Sequence, residues 1–186
     1  MNRENQQVTS HQLAWLAGIW DGEGTFMVYD YQRKNESKKR TYTARVTLTN
    51  SSIEMINEIS KIFDYYKIGG HIYQEKMRSN KHKACYHITV NKLDHVKKST
   101  ELMLPYLVNK KAHAEVMLRF VKLRENYKRI VIRDKKTGKI TGGIKEQGYN
   151  NEEISLYEQL KKLNAFGPNE GTSQTIRQTS MSTCFR

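Results

Sequence analysis

Residues 16–24 read Leu16-Ala17-Gly18-Ile19-Trp20-Asp21-Gly22-Glu23-Gly24, and the way this stretch joins a helix to two carboxylates decides the fold. Thr9 and Gln12 have the spacing of a capping box, and Leu13, Leu16, Ala17 and Trp20 recur at i, i+3, i+4 and i+7. The pattern predicts a helix from about Ser10 to Asp21, stopped by Gly22 and Gly24. Ala14, Ala17 and Gly18 leave that helix a slim side which another backbone can approach closely. Asp21 and Glu23 sit at its carboxyl end, where a negative charge meets the negative pole of the helix dipole and costs energy unless a cation or an orienting partner compensates. A divalent metal suits such a setting.

The chain has 186 residues, enough for one domain or one domain with a tail. It carries 32 Lys+Arg against 19 Asp+Glu, a formal net charge of +13, with the excess spread along its length. Such a field favours a polyanion. A membrane surface is the competing partner, but no stretch approaches eighteen consecutive apolar residues and no basic amphipathic helix stands out, so the partner is expected to be nucleic acid and not a membrane. Cys85 and Cys184 do not make a disulfide framework, and no secretory signal is seen in Met1 to Ser10, which points to an intracellular compartment.

Outward from the first helix, Thr25 to Arg33 alternates, with Phe26 and Val28 on one side and Met27, Tyr29, Tyr31 and Arg33 on the other. After the basic turn of residues 33–40, Tyr42, Ala44, Val46 and Leu48 face one way and Thr41, Thr43, Arg45, Thr47 and Thr49 the other, a strand with one dry and one polar face. Ser51 or Ser52 caps a second helix with Ile53, Ile56, Ile59, Ile62 and Phe63 as its stripe, ending near Lys67 to Gly70. His71 to Arg78 and Lys83 to Val90 form a second hairpin, in whose return strand Ala84, Tyr86, Ile88 and Val90 alternate with Lys83, Cys85, His87 and Thr89. Further helices are expected from about Leu93 to Leu104, broken by Pro105, and from about Lys110 to Asn126. The order α-β-β-α-β-β-α followed by a helix is an α+β fold, a four-stranded antiparallel sheet with helices on one face and the other face wet. Residues 129–149 read as a loop or loose hairpin, and Asn150 or Asn151 caps a last helix to about Asn164 with Ile154, Leu156, Tyr157, Leu160 and Leu163 apolar. The expected units are a core over residues 1–127, a basic loop with an accessory helix over 128–165, and a polar tail over 166–186.

Residues 16–24 resemble the signature of the LAGLIDADG homing endonucleases. Leu16, Ala17, Gly18, Asp21 and Gly24 match it identically, Ile19 and Glu23 are conservative, and Trp20 and Gly22 depart from the literal consensus. The order and spacing of elements carry the resemblance from about Thr9 to Asn126, and the motif occurs once. The resemblance implies a saddle-shaped sheet and a homodimer packed through Ala14, Ala17 and Gly18. It implies Mg²⁺-dependent, intron-homing cleavage of double-stranded DNA. By the same resemblance Glu23 is the metal-binding carboxylate and the Gly22 carbonyl a backbone ligand, while Asp21 is secondary and orients the helix end. Asn50 falls where family members have a polar residue that organises water, and Lys110, or its neighbour Lys111, where they have a lysine near the scissile phosphate. Glu54 stands where a basic residue is expected. The chemistry agrees with the residues, since Mg²⁺ takes few protein ligands and one carboxylate per protomer with backbone oxygen and phosphates is enough.

Sequence reading belongs to the wet sheet face. A strand pair of about eight residues covers about 26 Å, or seven to eight base pairs of the major groove, and the site of two protomers is expected to span about 16 to 22 base pairs. The candidate readers are Tyr29, Tyr31, Arg33, Thr41, Thr43, Arg45, Thr47, Tyr73, Glu75, Cys85, His87 and Thr89, of which Arg33 and Arg45 can pair bidentately with guanine. Lys34, Lys38, Lys39, Arg40, Lys81 and Lys83 are expected to hold phosphates. A zinc site at His82, Cys85 and His87 fails for want of a fourth ligand at standard spacing. His71, His95 and His113 read as surface or core histidines. A maturase acting on intron RNA, and a non-cleaving DNA-binding regulator, are the alternatives on the same fold. The Lys- and Asn-rich composition points to an AT-rich organellar genome, of a mitochondrion or chloroplast.

Overall fold

A computed structural model of the chain describes residues 8–32, 40–75, 84–126, 129–145 and 149–166. Helix α1 spans Ser10–Glu23 and opens on the expected box: Thr9 N–H donates to Gln12 Oε1 at 2.9 Å and Gln12 N–H to Thr9 Oγ1 at 3.3 Å. It runs two residues beyond Asp21 because Gly22 stays helical, and it closes where the Gly24 N–H donates to the Trp20 carbonyl. Gly24 is required for space rather than backbone freedom. Its φ is −77°, and a Cβ there would lie 2.3 Å from Trp20 Cδ1. The Trp20 indole is fully buried, with ring centroids 6.5 Å from Phe26 and 6.0 Å from Phe63.

Strands β1 (Gly24–Gln32), β2 (Arg40–Asn50), β3 (His71–Gln74) and β4 (Tyr86–Val90) form one antiparallel sheet in the order β1-β2-β4-β3. Alternation sorts its two faces. Phe26, Val28, Tyr42, Ala44, Val46, Leu48, Ile88 and Val90 are buried on the inner face. Residues 76–83 of the expected second hairpin lie outside the described residues; β3 and β4 hold four and five residues, and Glu75 and Cys85 lie just past their ends, joined by a Glu75 N–H to Cys85 carbonyl bond of 2.8 Å.

Helices α2 (Ile53–Tyr65, capped by Ser52), α3 (Leu93–Met103) and α4 (Lys111–Glu125) pack with α1 on the inner face, a 3₁₀ turn at Leu104–Tyr106 linking α3 to α4 around Pro105. Ile56, Ile59, Ile62, Phe63, Val96, Met103, Ala114, Met117, Phe120 and Val121 complete the core. Residues 129–145 form a two-stranded hairpin, β5 (Arg129–Arg133) and β6 (Ile140–Lys145), with Gly138 at φ +64° in its turn. The last helix, α5 (Asn151–Phe166), packs on α4 and β1. Its buried stripe is Glu153, Leu156 and Leu160; Ile154, expected in the stripe, lies about 100° round the helix from Glu153 and is 37% exposed. Arg124 meets Glu153 at 3.3 Å, and Asn150 and Glu153 form a reciprocal cap of 2.7 and 2.9 Å. No described helix is long and apolar enough to cross a membrane.

Candidate active site and nucleic-acid interface

At the carboxyl end of α1 the two carboxylates have different work. Asp21 turns inward and accepts the Val108 N–H at 2.7 Å on Oδ2 and the Lys110 N–H at 2.8 Å on Oδ1, pinning the start of α4 to the end of α1. Lys110 returns its ammonium, donating to the Trp20 carbonyl at 3.0 Å and the Gly24 carbonyl at 2.6 Å. These are helix-terminal carbonyls, so the lysine offsets the negative pole on which Asp21 and Glu23 stand. Burial holds the Lys110 ammonium below the usual lysine range, while Asp21 pulls it back up. Lys110 is therefore the lysine built into this corner; Lys111 is exposed.

Glu23 turns to solvent. Asn50, the last residue of β2, donates from Nδ2 to Glu23 Oε2 and accepts the Ser52 N–H on Oδ1 at 2.7 Å, so both ends of its amide are fixed by their partners. Ser52 Oγ donates to Glu54 Oε2 at 2.8 Å, and Glu54 is held below the usual glutamate range by its own amide and then by Ser52. Glu54 is thus engaged in capping α2. Among the described residues no lysine, arginine or histidine pairs with Glu23, and no group of three or more His, Cys, Asp or Glu could hold a metal by itself. The Gly22 carbonyl lies in the last turn, where helical N–H partners have run out.

The exposed side of α1 carries Ala14, Gly18 and Gly22 at i, i+4 and i+8, beside Trp15 at 39% exposure. Ala17, expected on the slim side, is fully buried in the protomer's own core with Leu16 and Trp20. Its position belongs to the apolar stripe, so its methyl is not available to a second protomer. Among the described residues a Cβ added at Gly18 or Gly22 would meet nothing within 4 Å.

On the outer sheet face the register places Tyr29 opposite Thr43, Tyr31 opposite Thr41, Thr47 opposite Thr89, and Tyr73 opposite His87. Arg45 lies over the Tyr29 ring with Cζ 4.6 Å from its centroid, and donates from Nη2 to the Tyr29 hydroxyl at 3.2 Å and from Nε to Asn91 Oδ1 at 2.7 Å. Tyr73 stacks on His87 at 4.6 Å between centroids, while His87 reaches Thr49 Oγ1 at 2.8 Å and Glu75 at 3.5 Å. Thr89, expected to face DNA, is buried. Flanked by Thr47 and His71 in the middle of the sheet, it shares a 2.9 Å hydroxyl contact with Thr47. Cys85 is half-buried. Arg33, Lys34, Lys38, Lys39, Lys81, His82 and Lys83 lie outside the described residues, as do the side chains of Tyr31 and Arg40.

Sequence reasoning missed two participants. Asn91 stands one residue past β4, where a loop amide carries no pattern that links it to Arg45. The amide clamp on Asp21 spans 87 and 89 residues of sequence, and only the charge conflict at the helix end hinted at it.

The LAGLIDADG endonuclease family profile matches residues 16–127, and the chain belongs to that family. No curated protein matches it. Among solved structures, the archaeal intron-encoded homing endonuclease I-Vdi141I complexed with DNA is 15% identical, covering 82% of this chain and 83% of that one at a TM-score of 0.57. The I-SmaMI LAGLIDADG homing endonuclease bound to cleaved DNA is 14% identical over 98% of this chain and 52% of that one, with a TM-score of 0.55. Homing endonuclease I-CvuI in complex with its target in the presence of calcium is 22% identical over 63% and 72%, with a TM-score of 0.50. These likenesses establish a shared fold.

Proposed function

We propose that the chain is a site-specific double-strand DNA endonuclease of the intron-homing type, working as a homodimer with a divalent cation held by Glu23. The observation that carries this reading is the placement of Glu23. Its carboxylate is exposed at the negative end of α1, oriented by Asn50, without a cationic partner among the described residues, and next to the bare face of Ala14, Gly18 and Gly22. A glycine inside a helix costs roughly 0.5–1 kcal/mol relative to alanine. Among the described residues nothing occupies the space beside Gly18 or Gly22, which favours a second helix as the reason for them. Two such faces packed about a two-fold axis would bring two Glu23 carboxylates to one centre.

The donor set fits a hard cation. Glu23 and the Gly22 carbonyl offer oxygen only, and a single carboxylate per protomer leaves room for phosphate and water oxygens, as Mg²⁺ prefers. To phosphodiester hydrolysis such a cation supplies charge neutralisation at the phosphate and a lowered pKa for water. Asn50 holds the Glu23 rotamer, and Asp21 and Lys110 hold the helix end that carries it. Two of the three Lys110 N–H donors are engaged by carbonyls, which leaves one for a phosphate oxygen. The outer sheet face, bearing Tyr29, Thr41, Thr43, Arg45, Thr47, Tyr73 and His87, is read as the surface that enters the major groove, with Glu75 and Cys85 at its margin. An intracellular, organellar setting is proposed on composition alone.

The test is incubation of the purified chain with a plasmid carrying the intron-less junction of its own gene, with Mg²⁺ or with EDTA. The proposal expects double-strand cleavage at one site, lost in EDTA. Specific binding without cleavage in Mg²⁺ would make it a DNA-binding regulator, and binding to intron RNA alone a maturase.

A further inference from the structure

We propose that Asn91 is a specificity-determining positioning residue, holding Arg45 so that the end-on edge of its guanidinium is the edge presented to a guanine. The inference rests on the reading of the outer sheet face as a DNA-binding surface. In the β2–β4 ladder Val46 pairs with Val90, so Asn91 stands one step beyond the end of β4, where the register would continue opposite Arg45. Its side-chain oxygen accepts the Arg45 Nε–H at 2.7 Å. Tyr29, from the strand on the other side, takes an Nη2–H at 3.2 Å and has its ring centroid 4.6 Å from Arg45 Cζ. Arg45 is therefore gripped from both neighbouring chain segments.

A guanidinium has five N–H donors and two edges on which it can offer a parallel pair. The side-on pair needs Nε, and Asn91 occupies it. Among the described residues nothing takes either Nη1 N–H, and one Nη2 N–H stays open, so these are the donors left to DNA. Guanine presents N7 and O6 as adjacent acceptors in the major groove, the match for such a pair. An uncharged acceptor is suited to this work. An amide oxygen fixes the direction of the arginine and leaves its positive charge intact for DNA, whereas a carboxylate in the same place would neutralise it. The cation–π contact and hydroxyl bond with Tyr29 restrict the remaining freedom of the side chain, so little ordering is left for the moment of binding.

The experiment selects preferred duplexes from a randomised pool with the full chain, without cleavage, and then measures binding to each single-base variant of the selected site. Arg45→Ala locates the guanine position that Arg45 reads, where a bidentate contact is worth roughly 5- to 150-fold in preference. Asn91→Ala is expected to lower the guanine preference at that position by about tenfold and to leave other positions within about twofold. Asn91→Asp, which retains the acceptor, is expected to keep the preference while weakening binding to selected and scrambled duplexes alike. Full guanine preference in Asn91→Ala, or an equal loss at every position, would overturn the inference while the outer-face reading stands. If Arg45→Ala changes no positional preference, the outer-face reading fails and the role of Asn91 falls with it.

Discussion

Asp21→Ala should destabilise the protein without touching the group assigned to metal binding. The substitution removes two charge-assisted bonds, at 2.7 Å to the Val108 N–H and 2.8 Å to the Lys110 N–H. Bonds to a charged group are worth about 1.5–3 kcal/mol each, but they are not equal here. Val108 is 81% exposed, so its freed amide gains a water partner and its share falls to about 1 kcal/mol. The Lys110 amide lies in a half-buried corner and keeps most of its cost. Against this, removing a carboxylate from the negative end of a helix returns about 0.3–1 kcal/mol. The net loss is about 2–3 kcal/mol, or a fall in Tm of about 4–12 °C for a chain of this size. Thermal unfolding followed by circular dichroism measures it, with Glu23→Gln as the control two residues away, expected to leave Tm unchanged or to raise it by up to about 4 °C because it too relieves the negative helix end. Well below its lowered Tm, the Asp21→Ala protein should still cleave within about tenfold of the parent, a difference of 1.4 kcal/mol. A Tm shift under about 1 °C would mean that the two amides draw nothing from Asp21, and the clamp would have to be abandoned.

Three other substitutions probe the frame around the site. Gly24→Ala places a methyl within 2.3 Å of a fully buried indole and should cost about 1–3 kcal/mol by urea unfolding, whereas Gly18→Ala, with open space around it, should be neutral or stabilising in the monomeric state; equal effects would refute the packing argument. Arg124→Met strands the buried Glu153 with fewer donors and should cost about 2–3 kcal/mol in the same assay, a loss below about 0.5 kcal/mol counting against the pair. Burial holds His113 below its usual value of 6.5, helped by Lys110 and opposed by the Leu163 carbonyl and Asp21. The unfolded chain takes a proton as pH falls through 6.5 while the folded chain resists it, so stability present above 6.5 declines toward the folded value with a slope of at most about 1.4 kcal/mol per pH unit. His113→Gln should remove that component of the slope, and an unchanged slope would clear His113 of it.

Where a residue's fate depends on its near neighbours, the sequence was legible. Thr9 and Gln12 announce the start of α1, Ser52 caps α2, and the alternation of β2 sorts Tyr42, Ala44, Val46 and Leu48 inward. Ala17 was misplaced because small residues advertise a close approach without saying to whom. Its position in the stripe of Leu16 and Trp20 decides that the protomer's own core takes it. Thr89 looked like its exposed neighbours on a polar strand face, yet only the strand order β1-β2-β4-β3 reveals that it sits between two strands and loses its access to solvent. Glu153 is buried and Ile154 exposed, the reverse of what their hydropathy suggests, because Arg124 of a separate helix and the cap of α5 itself satisfy the carboxylate. The pairing of Glu23 with Asn50 joins the ends of α1 and β2, and no local pattern could report it.

The placement of Glu23 as the metal-binding carboxylate is tested most directly by Glu23→Gln, assayed for binding and for cleavage of the same site in Mg²⁺. The substitution keeps the shape of the side chain and an oxygen facing the Asn50 amide, and removes only the charge. Specific binding should stay within about tenfold of the parent, or 1.4 kcal/mol, while cleavage of both strands falls below detection. A Glu23→Gln protein that cuts at the parental rate would contradict the assignment.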